Sequence, residues 1–180
     1  TARTLEELFH SIHTIVDELI LAKNFYIALY DPATEILSFP YYADENYTMP
    51  YIAAPSRKLR KGLTEYVLRT DTPLLASPEV FEDLVQQGEV ESIGAPSTYW
   101  LGVPLKTYTK TIGVLAVQHY TEGFTFGEEE KNILMFVSSQ IAMAIERVRA
   151  EEQIKNQNIL LEQAVQEKQQ EMEVLFERLL

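Results

Sequence analysis

The sequence has no cysteine among its 180 residues, and this absence excludes several kinds of chemistry. Without a thiol the chain can form neither a disulfide nor a zinc site with thiolate ligands, and it cannot hold an iron–sulfur cluster. A catalytic cysteine nucleophile is excluded for the same reason. The composition fits a reducing compartment, and we therefore predict a cytoplasmic location.

Positive charge is also scarce. The chain has 15 lysines and arginines against 27 aspartates and glutamates, which gives a formal net charge of -12 and a pI near 4.7. Nucleic acids and anionic membrane surfaces are recognised by basic stripes of the protein surface. We therefore predict no nucleic-acid partner and no direct membrane contact for this chain.

Long apolar segments are missing as well. No run of about 18 apolar residues occurs and no signal peptide opens the chain, so we expect this polypeptide to be soluble. Thr1 stands where an initiator methionine would be, and Leu180 falls within a helical pattern. Both features indicate a piece of a longer protein, which could be anchored in a membrane elsewhere.

Motifs for catalysis and metal binding are absent from the sequence. It has no glycine-rich phosphate loop, no Ser-His-Asp arrangement at a recognisable turn and no pair of histidines at metal-binding spacing. The run Glu128 to Glu130 is better explained by the helix dipole, because carboxylates in a first helical turn are stabilised by its free N–H groups. We predict no catalytic residue and no metal site.

The segment from Tyr99 to Glu146 carries the clearest pattern. Two β-rich apolar runs, 99–105 and 111–118, are separated by a short polar break and predict an antiparallel hairpin. A helix follows from about Glu128, and its apolar residues recur at three- and four-residue steps. One face of this helix therefore needs a sheet or another helix to cover it.

The preceding half of the chain predicts further elements of a mixed α and β fold. A capping box at Thr4 begins an amphipathic helix, and runs 25–31 and 36–39 predict a second hairpin. Pro40 limits regular pairing after it, and we predict a loop from Asp44 to Arg57. A short helix opening at Gly62, a strand over 72–77 and a small helix over 79–87 complete this half.

The last part of the chain has the four-three repeat of a coiled coil. Across Glu151 and Glu152 this repeat is shifted by one residue relative to the apolar face of the preceding helical segment. Such a shift changes the winding of the supercoil locally. A second copy of the same chain is the simplest partner, and a parallel homodimer would pair Asn158 with its counterpart. The alternative is a solvated helix that becomes ordered only in the full protein. The predicted dimer seam consists of Ile154, Asn158, Leu161, Val165, Met172, Leu175 and Leu179.

These motifs together resemble a GAF domain. The sequences Leu-Gly-Val-Pro-Leu at 101–105 and Ile-Gly-Val-Leu-Ala-Val at 112–117 are followed by Phe-Thr-Phe-Gly-Glu-Glu-Glu at 124–130, in the order and spacing of that family. The resemblance implies an α/β (α+β) fold, with a six-stranded antiparallel sheet flanked by helices and followed by a long coiled-coil helix. It implies a GAF-like sensor domain over 1–148 and a coiled-coil signalling linker over 149–180.

The resemblance also implies a ligand pocket on the sheet face away from the long helices. Without cysteine, the chain cannot be a cysteine-dependent methionine sulfoxide reductase of this family or attach a bilin chromophore to a cysteine of this domain. The Asn-Lys pair of cyclic-nucleotide-binding members is replaced by His119 and Tyr120, which disfavours that ligand, and the cofactor remains unknown. An aromatic pocket suits a small molecule, although ordinary packing would also explain the aromatic residues. The candidate ligand-binding residues are Tyr42, Tyr47, Tyr51, Tyr66, Trp100, Gln118 and Tyr120.

By this resemblance the chain is a cytoplasmic regulatory sensor module that binds a small molecule and passes the signal through a dimeric helix. The enzyme would then be a missing output domain, a two-component histidine kinase or, less commonly, a diguanylate cyclase. The alternative is a dimerisation and spacer module that binds no ligand. The chain itself is not expected to be an enzyme.

Overall fold

The computed structural model describes residues 5–45, 54–93 and 98–179. Over these residues the chain forms four α-helices and six β-strands. The helices are α1 (Leu5–Ile20), α2 (Leu63–Thr70), α3 (Pro78–Gln86) and α4 (Glu128–Leu179). The strands are β1 (Asn24–Asp31), β2 (Ile36–Ala43), β3 (Ala54–Lys58), β4 (Leu74–Ala76), β5 (Tyr99–Lys106) and β6 (Thr111–His119).

The six strands form one antiparallel sheet in the order β3-β2-β1-β6-β5-β4. Both predicted hairpins are present as β1–β2 and β5–β6, and β1 joins them by pairing with β6 from Asn24 opposite Gln118 to Leu29 opposite Gly113. The predicted fold class, a six-stranded antiparallel sheet with flanking helices and a long last helix, is confirmed.

The two faces of the sheet pack against different helices, because successive strand residues point to opposite sides. On one face the His13 ring of α1 stacks on Phe25 at 4.8 Å between ring centroids, and its Nδ1 lies 2.9 Å from the Tyr41 hydroxyl oxygen. On the other face the Tyr26 hydroxyl lies 2.8 Å from the Thr64 hydroxyl of α2. We call this second side the Tyr26 face. Its buried residues, together with Val67 of α2, are Tyr26, Ala28, Leu37, Phe39, Ala76, Trp100, Val114 and Ala116.

The structure corrects one expectation in the predicted loop from Asp44 to Arg57. Residues 54–58 are strand β3, which pairs with β2 at the edge of the sheet. An edge strand tolerates a proline, because one side of it makes no ladder bonds. Strand β2 also continues through Pro40 to Ala43, and the register shifts between Ile27 and Leu29 of β1 at that point. The irregularity provides the extra room that a proline needs within a strand.

The chain divides into two compact units, one ending at Met143 and one beginning at Ala144. In the first unit α4 contributes the buried residues Leu134, Ser138 and Ile141. In the second unit every residue from 149 to 179 is exposed, including the whole predicted seam. Ile159, Leu160, Val174 and Phe176 lie off that seam and are exposed as well. Among the helices described, none has the length and hydropathy needed to span a bilayer.

Candidate functional site

The interior of the Tyr26 face is organised around a chain of hydrogen bonds between three elements. The Trp100 indole Nε1 of β5 donates to the Tyr26 hydroxyl oxygen of β1 at 3.0 Å, and that oxygen lies 2.8 Å from Thr64 Oγ1 of α2. The Tyr26 ring stacks on Tyr42 at 5.6 Å between centroids. Burial raises the pKa of the Tyr26 hydroxyl, so it stays a neutral phenol that can donate and accept at once.

The Trp100 indole lies against Gly102 of its own strand. A Cβ placed on Gly102 would come within 2.0 Å of indole Cη2, which no side chain can tolerate. Glycine at 102 is therefore required by the close approach of the ring. The consequence is that the chain's own indole fills space between the sheet and α2.

A polar cluster lies at the end of strands β2 and β6, beside the aromatic interior. Tyr120 donates from its hydroxyl to Asp44 Oδ2 at 2.5 Å, Gln118 Nε2 donates to the same oxygen at 3.1 Å, and the Tyr42 hydroxyl does so at 3.3 Å. Gln118 Nε2 also lies 2.7 Å from the Tyr120 hydroxyl oxygen. We call Asp44, Tyr42, Gln118 and Tyr120 the Asp44 cluster.

The buried side chain of Asn24 holds the Asp44 cluster in place. Its Nδ2 donates to the Gln118 carbonyl at 3.0 Å, and its Oδ1 accepts from the Glu45 backbone N–H at 2.7 Å. The segment after β2 is thereby tied to the end of β6. A half-buried carboxylate surrounded by phenols is suited to accept a hydrogen bond from an amine, amide or hydroxyl group of a small molecule.

The structure brings together some of the predicted ligand-binding residues and separates others. Tyr42, Gln118 and Tyr120 meet at Asp44, and Trp100 lies in the adjoining aromatic interior. Tyr66 lies elsewhere, with the Arg69 guanidinium 5.4 Å from the centre of its ring. The other two predicted residues, Tyr47 and Tyr51, fall outside the described residues.

Two site residues were missing from the prediction, Asp44 and Tyr26. Asp44 stands at the start of a segment predicted as a loop, and its partner Gln118 lies 74 positions along the chain. Tyr26 belongs to a β-rich run in which Phe25 is equally aromatic. Side-chain alternation along the strand places Tyr26 and Phe25 on opposite faces of the sheet. Alternation alone does not predict which of the two faces carries the pocket.

A partly buried ion pair fastens α2 to the edge of the sheet. The Arg57 guanidinium pairs with Glu65 Oε1, and the Arg60 backbone N–H donates to the same oxygen at 2.9 Å. Burial alone would raise the pKa of the Glu65 carboxyl, but these hydrogen bonds and the charge of Arg57 outweigh it and hold that pKa below its usual range. The other oxygen, Oε2, is buried with no hydrogen-bond partner among the described residues.

His119 lies on the opposite side of β6 from Gln118. Its ring stacks on Phe124 at 4.5 Å and on Phe126 at 5.0 Å between centroids. Burial lowers the pKa of His119, and its Nε2 is buried with no hydrogen-bond partner in the described part of the chain. His119 and Phe124 therefore pack against each other.

No cluster of three or more metal-ligating side chains occurs within residues 5–45, 54–93 and 98–179. His13 of α1 is engaged in packing, since its ring stacks on Phe25 and its Nε2 lies 3.1 Å from the Ala22 carbonyl oxygen. The functional candidates of the described residues are thus hydrogen-bonding and charged groups.

Comparison with known proteins agrees with this architecture. A family model described as GAF domain matches residues 2–146. No curated protein matches the chain. The agreement therefore comes from the family model and from solved structures.

Several solved structures share the fold. The GAF domain of phosphoenolpyruvate-protein phosphotransferase from Acinetobacter superimposes with a TM-score of 0.65 at 19% identity, covering 83% of this chain and 87% of its own. The second GAF domain of DevS from Mycobacterium smegmatis gives 0.63 at 15% identity, covering 84% and 99%. The GAF domain of a two-component sensor histidine kinase from Bacillus halodurans gives 0.63 at 14% identity, covering 83% and 99%.

Proposed function

Because the chain belongs to the GAF domain family, we propose that it is the regulatory sensor module of a two-component histidine kinase and that it works as a parallel homodimer. GAF domains are sensor modules of signalling proteins, including histidine kinases and chemotaxis proteins. In this proposal the module binds a small molecule in the cytoplasm and changes the state of the paired helices that follow. Catalysis belongs to an output domain outside this chain.

The observation that carries the ligand proposal is the convergence of Tyr42, Gln118 and Tyr120 on the Asp44 carboxylate. These four side chains come from the ends of two strands, β2 and β6, and the aromatic interior lies next to them. A small molecule with a hydrogen-bond donor and an apolar body would satisfy both surfaces. Tyr47 and Tyr51 remain proposed contacts, whereas Tyr66 contacts a different surface.

The signal would pass from β5 and β6 to α4. A ligand that stabilises one arrangement of the Asp44 cluster would also bias Gln118 and its neighbour across the ladder, Trp100. Small shifts of these strands would move the start of α4, and the heptad slip at Glu151 and Glu152 provides a place for two alternative packings. Two chains paired along the seam would transmit the change from one helix packing to the other to an output domain.

The exposed seam supports the dimer part of the proposal. Leu161 is 63% exposed, Met172 66% and Leu179 84%. Packing such a stripe against a partner stabilises a helix. Asn158 at a core position of the repeat favours two strands in register, and an identical chain supplies the matching repeat.

A thermal-shift screen of the chain against amino acids, nucleotides and aromatic metabolites tests the ligand proposal. A specific ligand should raise the melting temperature of the wild type. The increase should be lost in Tyr120→Phe, which removes the hydroxyl from the Asp44 cluster, and retained in Tyr108→Phe, since Tyr108 is 91% exposed. An equal increase in both variants would contradict this site.

A second candidate function is favoured by the position of the indole. Trp100 already fills space under α2 and satisfies Tyr26, as expected of a ligand-free dimerisation and spacer module. The two functions differ in fluorescence, because Trp100 is the sole tryptophan. A ligand bound beside it should change the emission of Trp100, and a spacer module should show no change with any compound of the screen.

A further inference from the structure

The basic residues of this acidic chain are concentrated in one short segment. Five of the 15 lysines and arginines fall within residues 57–69, and Glu65 is the only acidic residue among them. The Glu65 carboxylate forms an ion pair with the Arg57 guanidinium. Four cations of this segment remain, and only Arg69 among them has an acidic partner within the described residues, Glu89. Basic groups therefore outnumber acidic ones on this part of the surface of a molecule with a net charge of -12.

Part of this surface is a concave cleft. It has a volume of about 270 Å³ and is lined by Arg60, Lys61, Glu65, Tyr66, Arg69, Gly88 and Glu89. The loop before α2, the outer side of α2 and the segment after α3 form its walls. The Asp44 cluster contributes no residue to it, so this is a separate site.

Hydrogen bonds fix the walls of the cleft to one another. Buried Glu65 accepts from the Arg60 backbone N–H at 2.9 Å, which holds the loop against the first turn of α2. The Glu91 backbone N–H donates to the Lys61 carbonyl at 2.5 Å, which ties the same loop to the segment after α3. Arg60 and Lys61 are thus positioned beside Arg69 by the backbone, while their own side chains stay exposed.

One cation of the cleft has a partner that an anion could replace. Arg69 Nη2 lies 2.5 Å from Glu89 Oε2, but the two side chains are 57% and 40% exposed. An ion pair with that exposure contributes little to stability. A phosphate group can accept two hydrogen bonds from one guanidinium, and it carries more charge than a carboxylate.

We propose that this cleft is a second binding site, which holds a small multivalent oxyanion such as a phosphate monoester between Arg60, Lys61 and Arg69. Tyr66 provides an apolar wall for the organic part of the molecule. Binding replaces Glu89 as the partner of Arg69. The site does not depend on whether the Asp44 cluster takes a ligand.

Pyrophosphate at constant ionic strength is the probe, and amide chemical shifts of the full chain are the measurement. The expected result is a saturable change confined to residues 60–69 and 88–89. Arg60→Gln/Lys61→Gln should weaken the affinity by about tenfold or more, because two charged hydrogen-bond donors are lost. Glu89→Gln should strengthen it, because Arg69 no longer has a competing carboxylate.

Lys110→Gln/Arg149→Gln is the matched control, since it removes the same charge at exposed positions outside the cleft. Its affinity should equal that of the wild type. Melting temperatures without pyrophosphate establish that every variant folds. Shifts that never saturate, an equal loss of affinity in the control, or an unchanged affinity in Glu89→Gln would overturn the proposal.

Discussion

The two units of this chain differ in how their apolar residues are covered. In the first unit Phe25, Ile27, Leu115 and Val117 are fully buried within the sheet. In the second unit each residue from 149 to 179 is exposed, although Ile154, Leu161 and Val165 repeat along one side of the helix. The first unit thus encodes its own core, whereas the second leaves its apolar residues from 149 to 179 exposed, as the proposed dimer requires.

This difference bears on the two parts of the proposed function, ligand binding and dimerisation. A unit with an internal core can hold polar side chains in a fixed geometry, as Asn24 does for the Asp44 cluster. A helix whose apolar residues are left exposed by its own unit can change partners or register at low cost. We therefore expect substitutions in the first unit to change folding and those in the second to change association.

The largest effect is expected from opening the core of the first unit. Trp100→Ala removes the indole that bridges β5, Tyr26 and Gly102, and it leaves the Tyr26 hydroxyl without its donor. The free energy of unfolding should fall by about 3–5 kcal/mol. Urea unfolding followed by circular dichroism measures it, with Tyr108→Ala as a control at an exposed position. Equal stability of the two variants would show that Trp100 is not part of the core.

Removing the buried carboxylate of Glu65 should have the next largest effect. Glu65→Gln leaves Arg57 without its charged partner and should reduce stability by about 3 kcal/mol. Because the pKa of Glu65 is lowered in the folded state, its contribution is complete above the unfolded value of 4.5 and is lost as the pH falls through the native pKa. Wild type and Glu65→Gln should therefore converge in acid; a constant difference down to low pH would contradict the ion pair.

A charge in the seam should affect association while leaving the first unit folded. Leu161→Asp places two carboxylates in the proposed interface and should weaken the dimer by at least about 100-fold. Gln163→Asp puts the same charge on the outer side of the repeat. Sedimentation equilibrium distinguishes the two variants, and near-ultraviolet circular dichroism reports on the packing of Trp100. Equal dimer affinities of the two variants would contradict the proposal that the seam is the interface.

The smallest effect is expected at His119. His119→Phe keeps the ring stack with Phe124 and Phe126 and removes a buried nitrogen that has no partner among the described residues. It should stabilise the fold by about 1 kcal/mol. Since burial lowers the pKa of His119, the wild type loses stability as the pH falls from 6.5 toward the native pKa. Thermal unfolding across this range should show a smaller loss in the variant; an identical loss would assign the effect to another group.

Most of the fold could be predicted because its elements depend on local sequence. The hairpins follow from β-rich runs interrupted by turn residues, and the opening of α2 at Gly62 follows from its N-cap position. Strand β3 was missed because it lies among prolines and tyrosines and gains its order by pairing with β2. An edge strand of this kind has too little intrinsic propensity to be identified without its neighbour.

The candidate site was less predictable, because it depends on contacts that are distant in sequence. Aromatic composition indicated Tyr42, Trp100 and Tyr120, but it could not separate them from Tyr66, which faces a different cleft. Asp44 becomes significant only through its bonds to Gln118 and Tyr120. Strand register determines which of these side chains meet. Sequence periodicity predicts the face on which a side chain lies, but it does not predict its neighbours on the paired strands.

Disulfide formation at position 158 is the most direct test of the central claim, that residues 149–179 form half of a parallel, in-register homodimer. Because the chain has no cysteine, Asn158→Cys introduces a single thiol at the seam and Gln163→Cys introduces one on the outer side of the repeat. A disulfide requires Cα atoms within about 7 Å, and parallel chains in register bring the two copies of position 158 that close. We predict rapid oxidation of Asn158→Cys to a covalent dimer and none for Gln163→Cys under the same conditions. Failure of Asn158→Cys to cross-link, or equal cross-linking of both variants, would contradict the account.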